Sequence, residues 1–439
     1  MLSSNIAGII ADDLTGANDT ALQFRKCNAR IKILPGYLTQ PEDDFGTQVW
    51  AISTESRNIT PALAKSRIEE TIGNLNKNLN LEYFYKKIDS TLRGNIALET
   101  LSMVQCLGYD ASVIIPAFPS EGRITVGGYH LSKGIPIGRT ETARDPHSPI
   151  TESYVPALFM SQLEDRDQDI VGLIGLKTVM NGAGPVLMKI IELIKEGKKL
   201  IIADAASEVD IEQIVLAIYK SNYKILPAGT AAAGSILSKI WLPSSNETEE
   251  CEPVILPHLP KLIISGSATQ INTLQIEQLE KTYDYDNIHS VLLDIDRVLN
   301  GVSDEFISGI IQLLDKDNTV IVHSAKLVEN FDGFSEDSLR GELTRAALAS
   351  KITDCLADIT RRILEKKQVI LITLGGETSY KCCNAISSKE LIMKDEAAPA
   401  IALCTDSKNR WIITKSGNLG NPKTLIEILN YIDVHEEKL

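Results

Sequence analysis

The sequence predicts an α/β protein of two domains, each a largely parallel sheet flanked by helices. Three observations carry that prediction. Along the whole chain, short β-branched apolar runs give way to turns of small and polar residues and then to helical patterns, the rhythm of strand-loop-helix units. Between Leu242 and Pro260 the chain gathers Pro243, Pro253, Pro257 and Pro260 with Ser244, Ser245, Glu247, Glu249, Glu250 and Glu252, a composition that suits an exposed connector. The 439 residues, 44% hydrophobic and 23% charged, have ordinary globular composition and enough length for more than one core. The expected division is residues 1–242, a connector at 243–260, and residues 261–439.

In the first domain, buried strands are expected at Ile6 to Ala11, Val49 to Ser53, Tyr83 to Ile88, Val113 to Pro116 and Leu200 to Ala203. Each is a short run rich in β-branched, aromatic or other apolar residues, Tyr83 to Ile88 carrying two lysines as well. Ser207-Glu208-Val209-Asp210 has the spacing of a capping box and opens a helix. In the second domain the strands are Leu262 to Ser265, Thr319 to His323, Val369 to Thr373 and Ile401 to Cys404, and Ser338 to Lys367 is a long amphipathic helical stretch. Open α/β sheets bind ligands beyond the carboxyl ends of their strands, so residues that follow strands directly are the candidates for chemistry.

Composition narrows the partners. With 44 Lys+Arg against 58 Asp+Glu, the formal charge is −14, which disfavours a phosphate-neutralising surface and excludes nucleic acid as the expected partner. No apolar run approaches the roughly 18 residues of a membrane helix, and the N-terminus lacks a basic leader; the expectation is a cytoplasmic protein with no membrane partner. Seven scattered cysteines without a C-x-x-C pair read as reduced thiols, and six histidines without H-E-x-x-H give no support to a dedicated metal site.

The first strand runs into Asp12-Asp13-Leu14-Thr15-Gly16, which places two carboxylates before a helix begun near Thr15. Neighbouring side chains on an extended backbone point apart, so one of the two faces a pocket while the other caps or braces the turn. The strand at Val49 to Ser53 ends in Thr54-Glu55-Ser56-Arg57, where Arg57 has the fork geometry for a carboxylate. Tyr85-Lys86-Lys87-Ile88-Asp89-Ser90-Thr91-Leu92-Arg93-Gly94 crowds cations, a carboxylate and hydroxyls at a strand-to-helix junction, a mix suited to an anionic, hydroxyl-rich ligand. Two long segments without regular periodicity, Pro116 to His130 and Arg139 to Ser153, have the length of functional loops. In the second half, Ser265-Gly266-Ser267-Ala268-Thr269, Gly375-Gly376-Glu377-Thr378-Ser379 and Ser416-Gly417-Asn418-Leu419-Gly420 are glycine-bearing turns whose backbone can approach phosphate oxygens. Neither a P-loop nor a G-x-G-x-x-G fingerprint is present.

The strings IADDLTGANDT, YKKIDSTLRGN, PAFPSEGRITVGGYH, ARDPHSPITES, Ala228 to Gly234, SGSATQ, GGETS and KSGNLG occur in this order. Together they resemble the four-carbon acid sugar kinase family over nearly the whole chain. The resemblance implies an N-terminal acid-sugar-binding domain, a C-terminal nucleotide-binding domain, a ligand cleft between them, and ATP-dependent phosphorylation of the 4-hydroxyl of a tetronic acid. By motif, the family's substrate site falls on the Asp12-Asp13 strand end, on Arg57 and on the Lys87-Ile88-Asp89-Ser90 turn, and its ATP contacts fall on Ser267, on Gly375, Gly376, Glu377 and Thr378, and on Gly417. Arg93, on the same junction as Asp89, joins Asp12, Arg57 and Lys87 to Ser90 in the expected substrate-binding set. The second motif resembles the threonate and erythronate members more than the 3-oxo-tetronate members. The segment Ala397 to Ala402 departs from the Pro-Gly-Val-Pro-like pattern that usually precedes the last glycine turn.

Phosphoryl transfer asks a protein to align an acceptor hydroxyl, to spread positive charge and to accept a proton late. On this expectation Arg57 and Lys87 hold the substrate, a carboxylate of Asp12, Asp13 or Asp89 takes the 4-hydroxyl proton, and Mg²⁺ arrives mainly on the phosphates of ATP. The rivals are a non-catalytic sensor of acid sugar and nucleotide, and an NAD-dependent sugar-acid dehydrogenase, which the missing dinucleotide fingerprint disfavours. A homodimer is the expected assembly only because C2 pairs are common among soluble oligomers.

Overall fold

The computed structural model describes residues 5–41, 46–145, 147–242, 253–266, 269–282, 287–316, 318–325, 327 and 344–437. The chain divides into two compact units, Met1–Glu249 and Glu250–Leu439. The part of the proline-rich connector at 243–252 and the turn residues Ser267 and Ala268 lie outside the described residues.

The N-terminal unit is built on the strands β1 (Ala7–Ala11), β2 (Ile31–Leu34), β3 (Val49–Ser53), β4 (Tyr83–Lys87), β5 (Ala111–Ile115), β9 (Val171–Ile174), β10 (Leu200–Ala203) and β11 (Ile225–Gly229). They lie parallel in the order β2-β3-β1-β4-β11-β5-β10-β9. Every residue of β1, β3, β5 and β11 is buried, as expected of parallel strands covered by helices on both faces. The main helices are α1 (Leu14–Arg25), α2 (Pro61–Asn78), α3 (Ile96–Leu107), α4 (Ala183–Lys195), α5 (Glu208–Tyr219) and α6 (Ala231–Trp241). Ile68, Ile72 and Leu75 of α2 and Met103 and Val104 of α3 pack on Ile10, Trp50 and Ile52 of the sheet. The capping box at α5 is present, with Ser207 Oγ accepting from the Asp210 amide at 3.2 Å.

The aperiodic stretch after β5 holds more order than its sequence suggests. The strands β6 (Arg123–Val126), β7 (Tyr129–Ser132) and β8 (Ile135–Pro136) form a small antiparallel sheet. Gly127 and Gly128, both with positive φ, make the turn between β6 and β7.

The C-terminal unit has β12 (Lys261–Ser265), β13 (Ile288–Leu292), β14 (Thr319–His323), β15 (Ile370–Leu374), β16 (Leu391–Ala398), β17 (Ile401–Asp406) and β18 (Trp411–Lys415). Their order is β13-β14-β12-β15-β18-β17-β16, parallel from β13 to β18, with β17 antiparallel to both of its neighbours. Around it lie α7 (Gln270–Thr282), α8 (Asp304–Leu314), α9 (Arg345–Leu364), α10 (Gly376–Ala385) and α11 (Thr424–His435). Residues 338–343 of the predicted helical stretch lie outside the described residues, and α9 itself is capped by Thr344, whose side chain accepts from the Ala347 amide at 3.1 Å. The segment Ala397 to Ala402 is the β16-β17 hairpin, and Ala400 turns it with φ 61.

The two sheets share one topological feature. In each unit the first strand lies between the third and the fourth (β3-β1-β4 and β14-β12-β15), so the chain reverses direction across the sheet at that strand and opens a crevice at its carboxyl end. Among the described residues no helix is long and apolar enough to cross a membrane, and the six described cysteines are free thiols.

Candidate active site

The parallel register sets Ala11 beside Ser53 and Lys87, so the tips of β1, β3 and β4 end at one level. Their following residues therefore converge. Asp13 caps α1: its Oδ1 accepts from the Gly16 amide at 2.9 Å and its Oδ2 from Thr15 Oγ1 at 2.8 Å. Asp12 receives Arg57 as a fork, Nε at 2.7 Å and Nη2 at 3.1 Å. Arg57 Nη2 also lies 2.8 Å from Asp13 Oδ1 and 3.5 Å from Asp89 Oδ1. One guanidinium is thus shared by three carboxylates.

Asp89 has a second fork. Arg93 reaches it through Nε at 2.8 Å and Nη2 at 3.1 Å, and extends Nη1 to Asp145 at 3.1 Å. Thr91 Oγ1 donates to Asp89 Oδ2 at 2.5 Å. Burial alone would raise both Asp89 and Asp12, but the guanidiniums of Arg93 and Arg57 outweigh it at Asp89, and that of Arg57 at Asp12, holding each carboxyl below its usual range. Gly94 is required here by geometry: it sits at φ +93, and a Cβ on it would stand 3.2 Å from Arg57 Cα.

Both long loops reach this cluster. Asp145 accepts from the amides of His147 and Ser148 at 3.0 and 2.9 Å while holding Arg93, and Ser148 Oγ donates to the Arg57 carbonyl at 3.2 Å. His130, fully buried on β7, lies 3.0 Å from the Ser90 carbonyl through Nε2 and 3.0 Å from Thr125 Oγ1 through Nδ1. Burial pushes His130 down to about 4, so at neutral pH the ring is uncharged and donates one proton, to Ser90.

Beneath the β4 tip, Lys86 and Glu99 form a fully buried ion pair at 2.7 Å. Lys87 turns the opposite way. Its Nζ donates to the Ile88 carbonyl at 2.8 Å and lies where a Cβ on Gly16 would meet it at 3.1 Å. Three residues beyond Gly16 on the same stripe of α1 is Asp19. Its Oδ1 is buried without a hydrogen-bond partner, and burial, opposed by Lys87, raises its carboxyl to about 6. The neighbouring strand tip, β11, leads into α6, whose first turn has no side-chain cap. Gly229 at the end of β11 accepts from the Ile88 amide at 2.9 Å.

In the C-terminal unit the tips of β12, β15 and β18 are adjacent and their glycine turns are tied together. The Gly375 amide donates to the Lys415 carbonyl at 2.8 Å, and Thr269 Oγ1 donates to the Gly417 carbonyl at 2.7 Å. A Cβ on Gly266 would stand 2.7 Å from Thr378 Oγ1. Gly375, at φ 109, starts α10 without a side-chain cap, so the first amides of that helix, including those of Gly376, Glu377 and Thr378, have no partner within the helix. Glu377 is occupied, 3.1 Å from both Thr353 Oγ1 and Lys381 Nζ.

Comparison with known proteins adds the decisive observation. A sugar-binding N-terminal domain matches residues 7–238, and a nucleotide-binding C-terminal domain matches residues 262–425. The chain is 30% identical to a D-erythronate kinase of Heliobacterium modesticaldum over 98% of its own length and 97% of that protein. The chain belongs to the four-carbon acid sugar kinase family. It is also 26% identical to a D-threonate kinase of Salmonella typhimurium, with 97% and 98% of the two chains covered, and 25% identical to a 3-oxo-tetronate kinase of Brucella melitensis, with 96% and 94% covered. In fold it is similar to the crystal structure of a Haemophilus influenzae protein at a TM-score of 0.69 and 20% identity, over 97% of this chain and 100% of that one.

Within this kinase, Asp12, Arg57, Lys87, Ile88, Asp89, Ser90 and Arg93 are gathered at one end of the N-terminal sheet, and Gly375 to Thr378 and Gly417 are gathered in the C-terminal unit. Ser267 lies outside the described residues. Asp19, His130, Asp145 and Lys415 lie within the quoted motif strings, but sequence reasoning gave none of them a role of its own. The i, i+3 spacing from Gly16 was the one signal that could have found Asp19; Lys415 looks like an ordinary polar residue ending a strand.

Proposed function

We propose that this four-carbon acid sugar kinase transfers the γ-phosphoryl group of ATP to the 4-hydroxyl of D-erythronate or D-threonate. The observation that carries the proposal is the Asp12-Arg57-Asp89-Arg93 cluster at the tips of β1, β3 and β4, within the unit matched as sugar-binding. The relatives named for D-erythronate and D-threonate support the acceptor, as does the Lys87-Ile88-Asp89-Ser90-Thr91-Leu92-Arg93 motif. ATP as donor suits a cytoplasmic enzyme.

Arg57 and Lys87, with the uncapped start of α6, supply the positive potential for the substrate carboxylate, and Asp89 and Ser90 supply polar atoms for its hydroxyls. The acceptor proton needs a base that is neither bound to a guanidinium nor far from neutrality. Asp12 and Asp89 are each held by an arginine fork, and both oxygens of Asp13 are engaged in the α1 cap. Asp19, with Oδ1 unpartnered and a carboxyl near 6, is the group best suited to take the 4-hydroxyl proton.

Mg²⁺ neutralises charge on the transferring phosphoryl group when bound with ATP. It keeps several waters and uses phosphate oxygens with one or two carboxylates, so it needs no three-residue protein cage, and among the described residues none is arranged as one. The experiment is ADP release from ATP and Mg²⁺ over a panel of D- and L-erythronate, D- and L-threonate and their 3-oxo analogues. D-erythronate or D-threonate should give the highest kcat/KM; a preference for a 3-oxo-tetronate would assign the chain to the other branch of its relatives, and no turnover on any member would overturn the proposal.

A further inference from the structure

Lys415 ends β18 with a relative exposure of 0%. Its amine donates to Asn272 Oδ1 at 2.7 Å and to the Ser416 carbonyl at 2.8 Å. Both acceptors are neutral. A buried lysine ordinarily finds a carboxylate, as Lys86 does in Glu99. Lys415 has none among the described residues.

The charged and titratable groups of the surrounding elements are committed elsewhere. On α10, Glu377 bonds Lys381 and Thr353, and Lys381 also reaches Asp354 at 2.8 Å. On β17, Asp406 is held by Arg410 at the far end of the strand, and Cys404, like Cys382 and Cys383 of α10, is a thiol pushed up by burial. β15 has no titratable side chain, and Glu277, Glu280 and Lys281 of α7 do not act on the amine, which is shifted by burial alone. That burial brings it down to about 7. His323, at the tip of β14 on the same end of the sheet, is likewise lowered by burial.

The proton arithmetic is specific. A neutral amine has two N–H donors, and Lys415 has two acceptors; an ammonium has three donors and needs one more acceptor. Around the amine the polar side chains are also incompletely matched, because Asn272 Nδ2 is buried without a partner. Gln275 of the same helix, also fully buried, holds the Leu419 and Asn421 carbonyls at 3.1 and 2.9 Å, so the turn carrying Gly417 is braced from below next to this amine. The Lys415 carbonyl meanwhile anchors Gly375, the cap residue of α10. The lysine therefore joins two of the three glycine turns.

We propose that Lys415 is the phosphate-responsive cation of the nucleotide-binding unit, taking up a proton as the phosphates of ADP or ATP settle beside the Gly375 and Gly417 turns. The inference rests on nucleotide binding by this unit and adds the group that supplies its charge. The phosphate provides the third acceptor, and its negative charge raises the amine above neutrality again.

The test is calorimetric titration of ADP into the full-length protein at pH 8 in two buffers of different ionisation enthalpy. At this pH a terminal phosphate, with its second pKa about 6, is already ionised, and proton exchange reports the protein. Close to one proton should be taken up per ADP. Lys415→Met should abolish that uptake and weaken ADP binding by roughly 10- to 100-fold, the scale of one charge-assisted contact. ADP binding to the wild type without proton uptake would overturn the proposal while leaving nucleotide binding intact, and this measurement decides the matter even if the variant fails to fold. Uptake that persists in Lys415→Met would transfer the role to His323 and overturn it as well. Failure of the wild type to bind ADP would remove the reading on which the inference stands.

Discussion

Replacing Arg57 with methionine removes the one cation that Asp12, Asp13 and Asp89 share. The guanidinium is 12% exposed and makes a 2.7 and 3.1 Å fork to Asp12, with 2.8 and 3.5 Å contacts to the other two carboxylates. Removing one partner of a buried ion pair costs about 3–5 kcal/mol, because the partner stays buried and uncompensated. At roughly 2–4 °C per kcal/mol for a unit of this size, the N-terminal transition should fall by about 6–20 °C at pH 7.5. The pH dependence fixes the cause. In the wild type Asp12 and Asp89 are held below their ordinary value, so their stabilisation is present above about pH 4 and is lost as pH falls below it. In the variant, burial at Asp12 is no longer opposed by Arg57 and its carboxyl rises, so the variant binds protons earlier and gains relative stability as pH falls. The gap between wild type and variant should therefore narrow from pH 7.5 to pH 5 in thermal melts. A gap below about 2 °C, or one that does not change with pH, would refute the view that Arg57 holds this cluster together.

Asp19→Asn should lower kcat by about 10²- to 10⁴-fold with little change in either KM, the scale of lost general-base help, and wild-type kcat/KM should fall below about pH 6 as the Asp19 carboxyl protonates; a variant that keeps its turnover would remove Asp19 from the mechanism. Gly94→Ala places a Cβ 3.2 Å from Arg57 Cα at φ +93 and should raise the sugar-acid KM roughly tenfold, at a strain cost of about 1–3 kcal/mol, while the ATP KM stays put. Gly376→Val should do the converse, raising the ATP KM while melting shifts with the sugar acid persist; stabilisation by ATP equal to that of the wild type would make Gly376 a structural glycine only.

The parts of the fold that were legible in sequence are those where one short run carries its own signal. β1 and β3 are apolar runs that meet polar residues abruptly, and β4 passes from Tyr83-Phe84-Tyr85 to Lys86 and Lys87 before it ends. The candidate site carries the same mark, since Asp12, Arg57, Lys87, Asp89, Ser90 and Arg93 are charged or polar residues at or just beyond these strand tips. β11 was hidden because Pro227 stands in its centre, and a proline lacks the amide that an interior strand uses. β2 alternates Ile31, Lys32, Ile33, Leu34 over only four residues, too short to stand out from its surroundings. β16 and β17 pair antiparallel through a hairpin turned by Ala400, a residue that carries no turn signature. Asp13 takes the cap of α1 as one of the two was expected to, but it does not part from Asp12, since Nη2 of Arg57 reaches both carboxylates. Asp19 and His130 depend on which way a helix and a hairpin face, which only packing determines. Lys415 was missed because burial, not residue type, makes it unusual.

The central claim is that phosphorus arrives on the 4-oxygen of a four-carbon sugar acid. Phosphorus NMR of the product formed from ATP, Mg²⁺ and D-erythronate or D-threonate, with proton coupling to locate the ester, tests it directly. A single phosphomonoester coupled to the two C4 protons, with ADP released in equal amount, is the predicted result. Phosphate on the 2- or 3-oxygen, or inorganic phosphate alone, would contradict it.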